Sequence, residues 1–193
     1  MRNAEFDKEK VLRSAMNAFL HKGYSKTSMQ DIKKATGLHP GSIYCAFENK
    51  RGLLLAAIEQ YRLDRTTAFD QFFSATQPTI LNLRAYLDNV VTECLSCDST
   101  QACLMTKALS EVAEQDEEIQ QLISDNLSML QQELASKFKQ AIEEKSISAD
   151  KDCDHLAHYF LKGIYGLRTY AYTHPKKKVV EQLADQLYQD ICR

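Results

Sequence analysis

The stretch from Thr27 to Leu53 constrains this chain most, because apolar residues at helical spacing, one glycine and one proline leave its backbone few ways to run. Met29, Ile32 and Ala35 recur at a spacing that puts one side of a short helix against a core. Thr27 and Gln30 fit a capping box that would start this helix. Gly37 follows its last turn, where a residue free to take positive φ ends a helix and re-aims the chain without side-chain strain. Leu38 is then expected to point back into the core. Pro40 suits the first position of a second helix, since its fixed φ is already helical and the donor it lacks would be unbonded there. Ile43 and Phe47 anchor the inner face of that helix, which ends near Phe47 and leaves His39, Gly41, Ser42, Tyr44 and Cys45 toward the outside. Two such helices joined by a short turn containing glycine form a helix-turn-helix unit.

Short helix pairs also occur as plain packing, and charge favours a different use here. Residues 1 to 52 hold ten Lys or Arg against five Asp or Glu, a balance of +5, whereas the remainder carries −7. A basic end suits phosphate, where each neutralised charge releases counterions, and an acidic remainder is repelled by a duplex. The alternative is a helical protein-interaction module whose basic end meets an acidic partner. That module would bind DNA weakly and without sequence preference.

The rest of the chain reads as all-α. Only three prolines and six glycines interrupt it, and Leu, Gln, Glu, Lys and Ala, which favour helix, fill the long stretches. A first helix runs from Ala4 to His21 with Val11, Leu12, Ala15, Phe19 and Leu20 inward. A fourth starts near Lys50 after a cap at Asn49 and continues to Ala75. After the break at Gln77-Pro78-Thr79, Ile80, Leu83, Leu87, Val90 and Cys94 mark a fifth, and Ala102 to Ala113 a sixth. Ile119, Ile123, Leu127, Leu130, Leu134, Phe138 and Ala141 mark a seventh of about twenty-five residues. Leu156 to Tyr170 carry an eighth and Val179 to Ile191 a ninth, with no convincing strand. The longest apolar run, Leu53 to Ile58, is too short to span a bilayer, and the charged start Met1 to Lys10 is unlike a signal peptide, so a cytoplasmic location and no membrane partner are expected.

Thr27, Ile32, Gly37, Gly41, Ile43, Tyr44, Phe47, Lys50 and Leu53, with Val11, Ala15, Phe19 and Gly23-Tyr24 upstream, resemble the pattern of the TetR/AcrR family of bacterial one-component transcriptional regulators. The resemblance covers about the first third of the chain. It implies a helix-turn-helix DNA-binding domain over residues 1–52, within a family region of about 6–66 that includes the start of helix four. A helical regulatory and dimerisation domain over 53–193 would follow. It further implies a homodimer on a near-palindromic operator in double-stranded DNA, usually repressing, that lets go when a small-molecule effector enters the helical domain. Phosphate contacts then fall to Thr27, Ser28, Tyr44 and Lys50, and base reading to His39, Pro40, Ser42 and Cys45, with Gly41 letting the backbone come close. Tyr44 has a core alternative and Lys50 a solvated one. His39 departs from the Ser or Thr that often caps helix three, Ala46 from a common His, and Lys33 and Thr36 from small Ala residues.

The last two helices each carry an apolar stripe, more than a small body can cover alone, so pairing with a second copy is expected. In the resembled family these helices form a four-helix bundle across a twofold axis. Gly163 and Gly166, costly inside a helix, are placed with Leu167, Leu183 and Leu187 at that interface, the alternative being the monomer's own core or room for a ligand. By the same resemblance Tyr86, Met105, Phe138, Tyr159, Tyr165 and Arg168 are possible walls of an effector pocket, although such side chains at helical spacing also make plain core.

Six cysteines in a reducing compartment are not expected to form structural disulfides. Cys94, Cys97 and Cys103 cluster, yet no His lies near to complete a metal site, so packing and redox or electrophile sensing are the readings weighed. The segment Ala102-Cys103-Leu104-Met105, followed by Glu111 and the acidic run from Glu114 to Glu118, resembles a Gly/Ala-Cys-Leu motif of a branch that includes regulators answering reactive electrophiles. Cys103 is therefore the foremost sensor candidate, at a helix start that favours thiolate, with Lys107 one turn on. No Gly-rich phosphate loop or His-Glu-x-x-His spacing is present, and His155 and His158 lack a third ligand, so no enzyme, metal or cofactor is expected.

Overall fold

In a computed structural model, residues 6–74, 76–96, 104–112 and 115–192 are described. They form nine α-helices and no strand: α1 Lys8–Lys22, α2 Met29–Thr36, α3 Pro40–Phe47, α4 Lys50–Phe73, α5 Thr79–Leu95, α6 Leu104–Glu111, α7 Glu117–Glu143, α8 Cys153–Ala171 and α9 Lys177–Cys192. No described helix is long and apolar enough to cross a membrane. Helix α1 starts later than expected because Asp7 caps it, accepting from the Lys10 N–H at 3.0 Å. Helix α8 is held the same way by Asp152, which accepts from the Asp154 and His155 amides.

The helices divide into two compact units. The first draws on the opening 65 positions and on 102–125, the second on 66–101 and 126–193. The segment holding α6 and the start of α7 thus folds with the helix-turn-helix rather than with the sequence around it.

In the first unit, Val11, Leu12, Ala15, Met16, Phe19 and Leu20 bury one stripe of α1, which packs on α2 and α6. Ile32, Ile43, Phe47, Leu53, Leu54, Ala57 and Ile58 extend the buried set, with Leu104, Met105, Ala108, Ile119 and Ile123 from the later segment. Of the α2 triad only Ile32 is fully buried; Met29 is half-buried and Ala35 exposed, because a helix of two turns can turn only a narrow stripe inward. Leu38 is likewise only half-buried. Gly37 takes φ 73°, and its N–H donates to the Lys33 carbonyl to close α2. Between α3 and α4 the chain makes a γ-turn, with Glu48 at φ 63° and the Asn49 N–H donating to the Phe47 carbonyl at 2.7 Å. The Asn49 side chain caps α4 as expected, accepting from the Gly52 N–H at 2.9 Å. The Phe47 carbonyl lies so close over Gly52 that a Cβ there would overlap it.

The second unit is built on aromatic packing among α4, α5, α7 and α8. Phe69 meets Tyr86 edge-on with centroids 5.1 Å apart, and Phe138 meets Phe160 edge-on at 5.9 Å. Helix α9 closes the unit with Val180, Ala184, Leu187 and Ile191, packing on α5 and α8. The Thr79 amide and hydroxyl both donate to Glu144, each at 2.7 Å, tying the start of α5 to the end of α7. Gly163 is the contact point between α8 and α9: a Cβ would overlap the Leu187 methyls. Leu167 and Leu187 are 5% and 6% exposed. Leu167 and Leu187 thus serve the core of their own chain, while Gly163, in contact with Leu187, stays half-buried. Gly166, with nothing within 4 Å of its Cβ position, and Leu183, 46% exposed, stay open.

These spaces rank three substitutions. Gly52→Ala puts a methyl into backbone and is expected to cost about 3 kcal/mol, the upper end for overpacking. Gly163→Ala meets movable Leu187 tips and should cost about 1 kcal/mol after the helix-propensity gain. Gly166→Ala should raise the melting temperature of dilute, unassociated chain. Thermal melts of the three variants test the order, and Gly52→Ala melting like wild type would contradict the corner described here.

Candidate nucleic-acid interface

Helix α2 begins with a capping box one residue later than expected. Ser28 is the cap, its hydroxyl accepting from the Asp31 N–H at 3.2 Å while the Asp31 carboxylate accepts from the Ser28 N–H at 2.9 Å. Thr27 is 1% exposed, and its hydroxyl donates to the Gly23 carbonyl at 2.6 Å. Thr27 thus organises the turn into α2 and does not turn its side chain to solvent, which corrects its assignment as a phosphate contact. Ser28 is exposed at the helix start, where free amides and the dipole favour an anion.

Helix α3 follows with Ile43 fully buried and Phe47 nearly so. Its other side is open: His39, Gly41, Ser42, Tyr44, Cys45 and Ala46 are all exposed, and Pro40 is half-buried at the first turn. Tyr44 is 47% exposed, so its core alternative does not hold. Cys45 is a free thiol on this face. His39, which departs from the family's usual capping residue, nonetheless caps α3: its Nδ1 accepts from the Gly41 N–H at 3.2 Å. Exposed Lys26, Lys33 and Lys34 lie on the turn before α2 and on α2 itself.

Lys50 is half-buried and not freely solvated. Its ammonium lies 4.3 Å from the centre of the Tyr24 ring, a cation–π contact, and burial pushes its pKa down while Glu111 opposes the shift. Beside it, Arg51 reaches the later segment. Its guanidinium donates to both Asp116 oxygens at 2.5 and 2.9 Å and to Glu118 at 2.5 Å, holding the Asp116 carboxyl down at about 2. Asp116 also accepts from the Ile119 N–H and so caps α7. One turn back along the same segment, Glu111 accepts from the Ser25 N–H at 3.1 Å, its carboxylate filling the space beside Gly23 where a Cβ would overlap it. Lys107 donates to the Leu20 carbonyl near the end of α1.

This strap of Lys107, Glu111, Asp116 and Glu118 across the helix-turn-helix was missed at the sequence level. Sequence alone sets the acidic run beside Cys103, whereas Asp116 and Glu118 answer the basic side chain of Arg51. The signal available was that complementarity alone, and sequence distance hid it.

The expected pocket residues are divided between the two units. Tyr86 and Phe138 are packed core, both against Phe160, while Met105 belongs to the first unit. The Tyr159 hydroxyl donates to Asp190 at 2.8 Å, and Arg168 pairs with Glu93 at 2.6 Å. Tyr165 is half-buried on α8. Of the sensor cluster, Cys97 and Cys103 lie outside the described residues. Cys94 is half-buried, and burial pushes its thiol pKa up against the pull of Arg168, so it is a poor nucleophile at neutral pH.

Two family descriptions match most of the chain: "Bacterial regulatory proteins, tetR family" over residues 11–57 and "Tetracyclin repressor-like, C-terminal domain" over residues 80–187. Among curated relatives, the HTH-type transcriptional repressor ComR of Escherichia coli is 27% identical over 164 residues, 84% of this chain and 78% of ComR. The transcriptional regulator AcuR of Cereibacter sphaeroides is 26% identical over 165 residues, 85% of this chain and 75% of AcuR. Among solved structures, a cysteine mutant of the TetR-family regulator CifR with 26-bp operator DNA superposes with TM-score 0.83 at 21% identity, over 96% of this chain and 97% of that one. The reduced form of E. coli NemR superposes with TM-score 0.83 at 15% identity, over 93% of both chains.

The burial of Thr27 yields a test that separates scaffold from contact. Thr27→Val, which keeps the shape and removes the hydroxyl, should cost about 1–2 kcal/mol of stability. The slope of duplex affinity against salt, which counts phosphate contacts, should not change. A shallower slope at a temperature where the variant is fully folded would return Thr27 to the contact surface.

Proposed function

The chain belongs to the TetR family of bacterial regulatory proteins and is a DNA-binding transcriptional regulator, and from that premise we propose that it represses from a near-palindromic operator and is released by an effector or by thiol modification. The observation that carries this is the outer face of α3, where His39, Gly41, Ser42, Tyr44 and Cys45 are exposed while Ile43 and Phe47 hold the helix from behind. A recognition helix enters the major groove by its N-terminal residues, which assigns base reading to His39, Pro40, Ser42 and Cys45 and close backbone approach to Gly41. Phosphates fall to Ser28 and Tyr44, joined by Lys26, Lys33 and Lys34. Lys50 can contribute only after leaving the Tyr24 ring.

Two copies are needed to read two half-sites. Gly166 and Leu183, left open on α8 and α9, are the part of the expected dimer surface that supports a homodimer. The regulatory domain would be the second unit together with the remainder of 53–193, and the protein works in the cytoplasm as a regulator rather than as an enzyme.

Release is a shift between two dimer shapes, of which only one spaces the recognition helices for successive half-sites. The strap is the natural relay, since a change at its start is carried by Lys107, Glu111 and Asp116 to the ends of α1 and α4. Cys103 directly precedes Leu104 in the sequence. Its thiolate would add to the ring of a quinone, forming a C–S bond while a ring C=C electron pair moves onto the carbonyl oxygen, which takes a proton from water, and loss of the ring proton to the second oxygen leaves a hydroquinone thioether. A description of one structural neighbour as a reduced form and of another as a cysteine mutant supports thiol control.

Gel shifts on the duplex upstream of the chain's own coding region, at moderate salt with thiols reduced, test the assignment. A discrete complex is expected, and in a Cys45→Ser background, which removes the exposed thiol of α3, it should be lost on treatment with p-benzoquinone and retained when Cys103→Ser is added. Binding that ignores sequence would favour a protein-interaction module, and a quinone response in the Cys45→Ser background that is equal with and without Cys103→Ser would rule out Cys103 as the sensor.

A further inference from the structure

His39 does two things at once, and the first restricts the second. Its Nδ1 accepts the Gly41 N–H at 3.2 Å, so that nitrogen must present its lone pair to the helix. A neutral ring in that arrangement carries its proton on Nε2, on the opposite edge, and residue 39 is exposed. The Ser or Thr that such a cap usually carries offers a hydroxyl able to donate or accept, and so reads bases loosely. His39 offers a single fixed donor and no acceptor.

We propose that His39, with its ring pinned as the cap of α3, is a specificity-determining residue that selects a base presenting acceptors in the major groove, guanine above all. Guanine shows two acceptors there, N7 and O6, whereas cytosine shows only its N4 donor. Adenine and thymine each show one acceptor, beside an amino donor in adenine and a methyl in thymine, and rank between. The proposal rests on the placement of α3 in the groove and adds the chemistry of one contact to it.

The test keeps the cap and changes only what it offers. Wild type, His39→Ser and His39→Asn all retain a capping side chain, so each full-length protein can be used to select duplexes from a random pool. Wild type should fix guanine at one position of each half-site, with discrimination against cytosine of about tenfold or more. His39→Ser should lose that preference while the rest of the selected sequence is kept. His39→Asn, which both donates and accepts, should move it toward adenine. Thermal melts establish that all three fold, and His39→Asp, a cap that only accepts and should turn the preference to cytosine, replaces either variant that does not. The same base pair at every position for all proteins, or an A·T pair fixed by wild type at the position the variants alter, overturns the proposal. A pool in which no position is enriched by any protein removes the groove placement itself.

Discussion

Two turns of helix do not hold themselves in water, because nucleation costs more than so few hydrogen bonds return. Helix α3 has only eight residues, and what keeps it is the burial of Ile43 and Phe47 together with caps at both ends. Everything proposed about the outer face of α3 depends on that inner face. A helix secured from one side only is free to present the other, and here the other side carries small and polar groups where a groove would be met. The γ-turn at Glu48 and the contact of the Phe47 carbonyl with Gly52 then bring the chain directly into α4. Short elements fixed by packing and caps make a rigid probe at low cost in chain length.

The second consequence concerns charge. The first 52 residues are basic, yet Lys50 and Arg51 are engaged within the unit, one on the Tyr24 ring and the other with Asp116 and Glu118. These pairs are partly exposed, and exposed ion pairs contribute little to stability. Their value lies in position: a guanidinium bound through two nitrogens fixes direction as well as distance. The carboxylate of Glu111 on the Ser25 amide does the same for the turn before α2. The unit that carries α3 is thus completed by residues some sixty to ninety positions later in the chain.

Much of this was legible in the sequence for local reasons. The proline that starts α3 and the glycine that ends α2 act through their own backbone, and the Asn49 side chain reaches only three residues on to the Gly52 N–H, so spacing reveals all three. The capping box moved by one because both Thr27 and Ser28 can cap, and only the three-dimensional turn shows that the Thr27 hydroxyl is used on the Gly23 carbonyl. The stripes of α8 and α9 were real, but a stripe does not name its partner. Gly163 fits against Leu187 of its own chain, which no periodicity states. The strap was illegible because carboxylates on a helix face look solvated until the distant Arg51 is placed beside them. Tyr86 and Phe138 show the same limit, since aromatic residues at helical spacing mark an interior without telling packed core from pocket.

The central claim, that the outer face of α3 meets the duplex, can be measured through a probe the chain already contains. Cys45 is a free, exposed thiol in the middle of that face, and Cys192, also exposed, lies at the end of α9. Alkylation by iodoacetamide, followed residue by residue with mass spectrometry in the presence and absence of a duplex shown to bind, compares the two. Slowing at Cys45 with Cys192 unchanged is the predicted result; a fully bound protein whose Cys45 reacts as fast as in the free chain would contradict it.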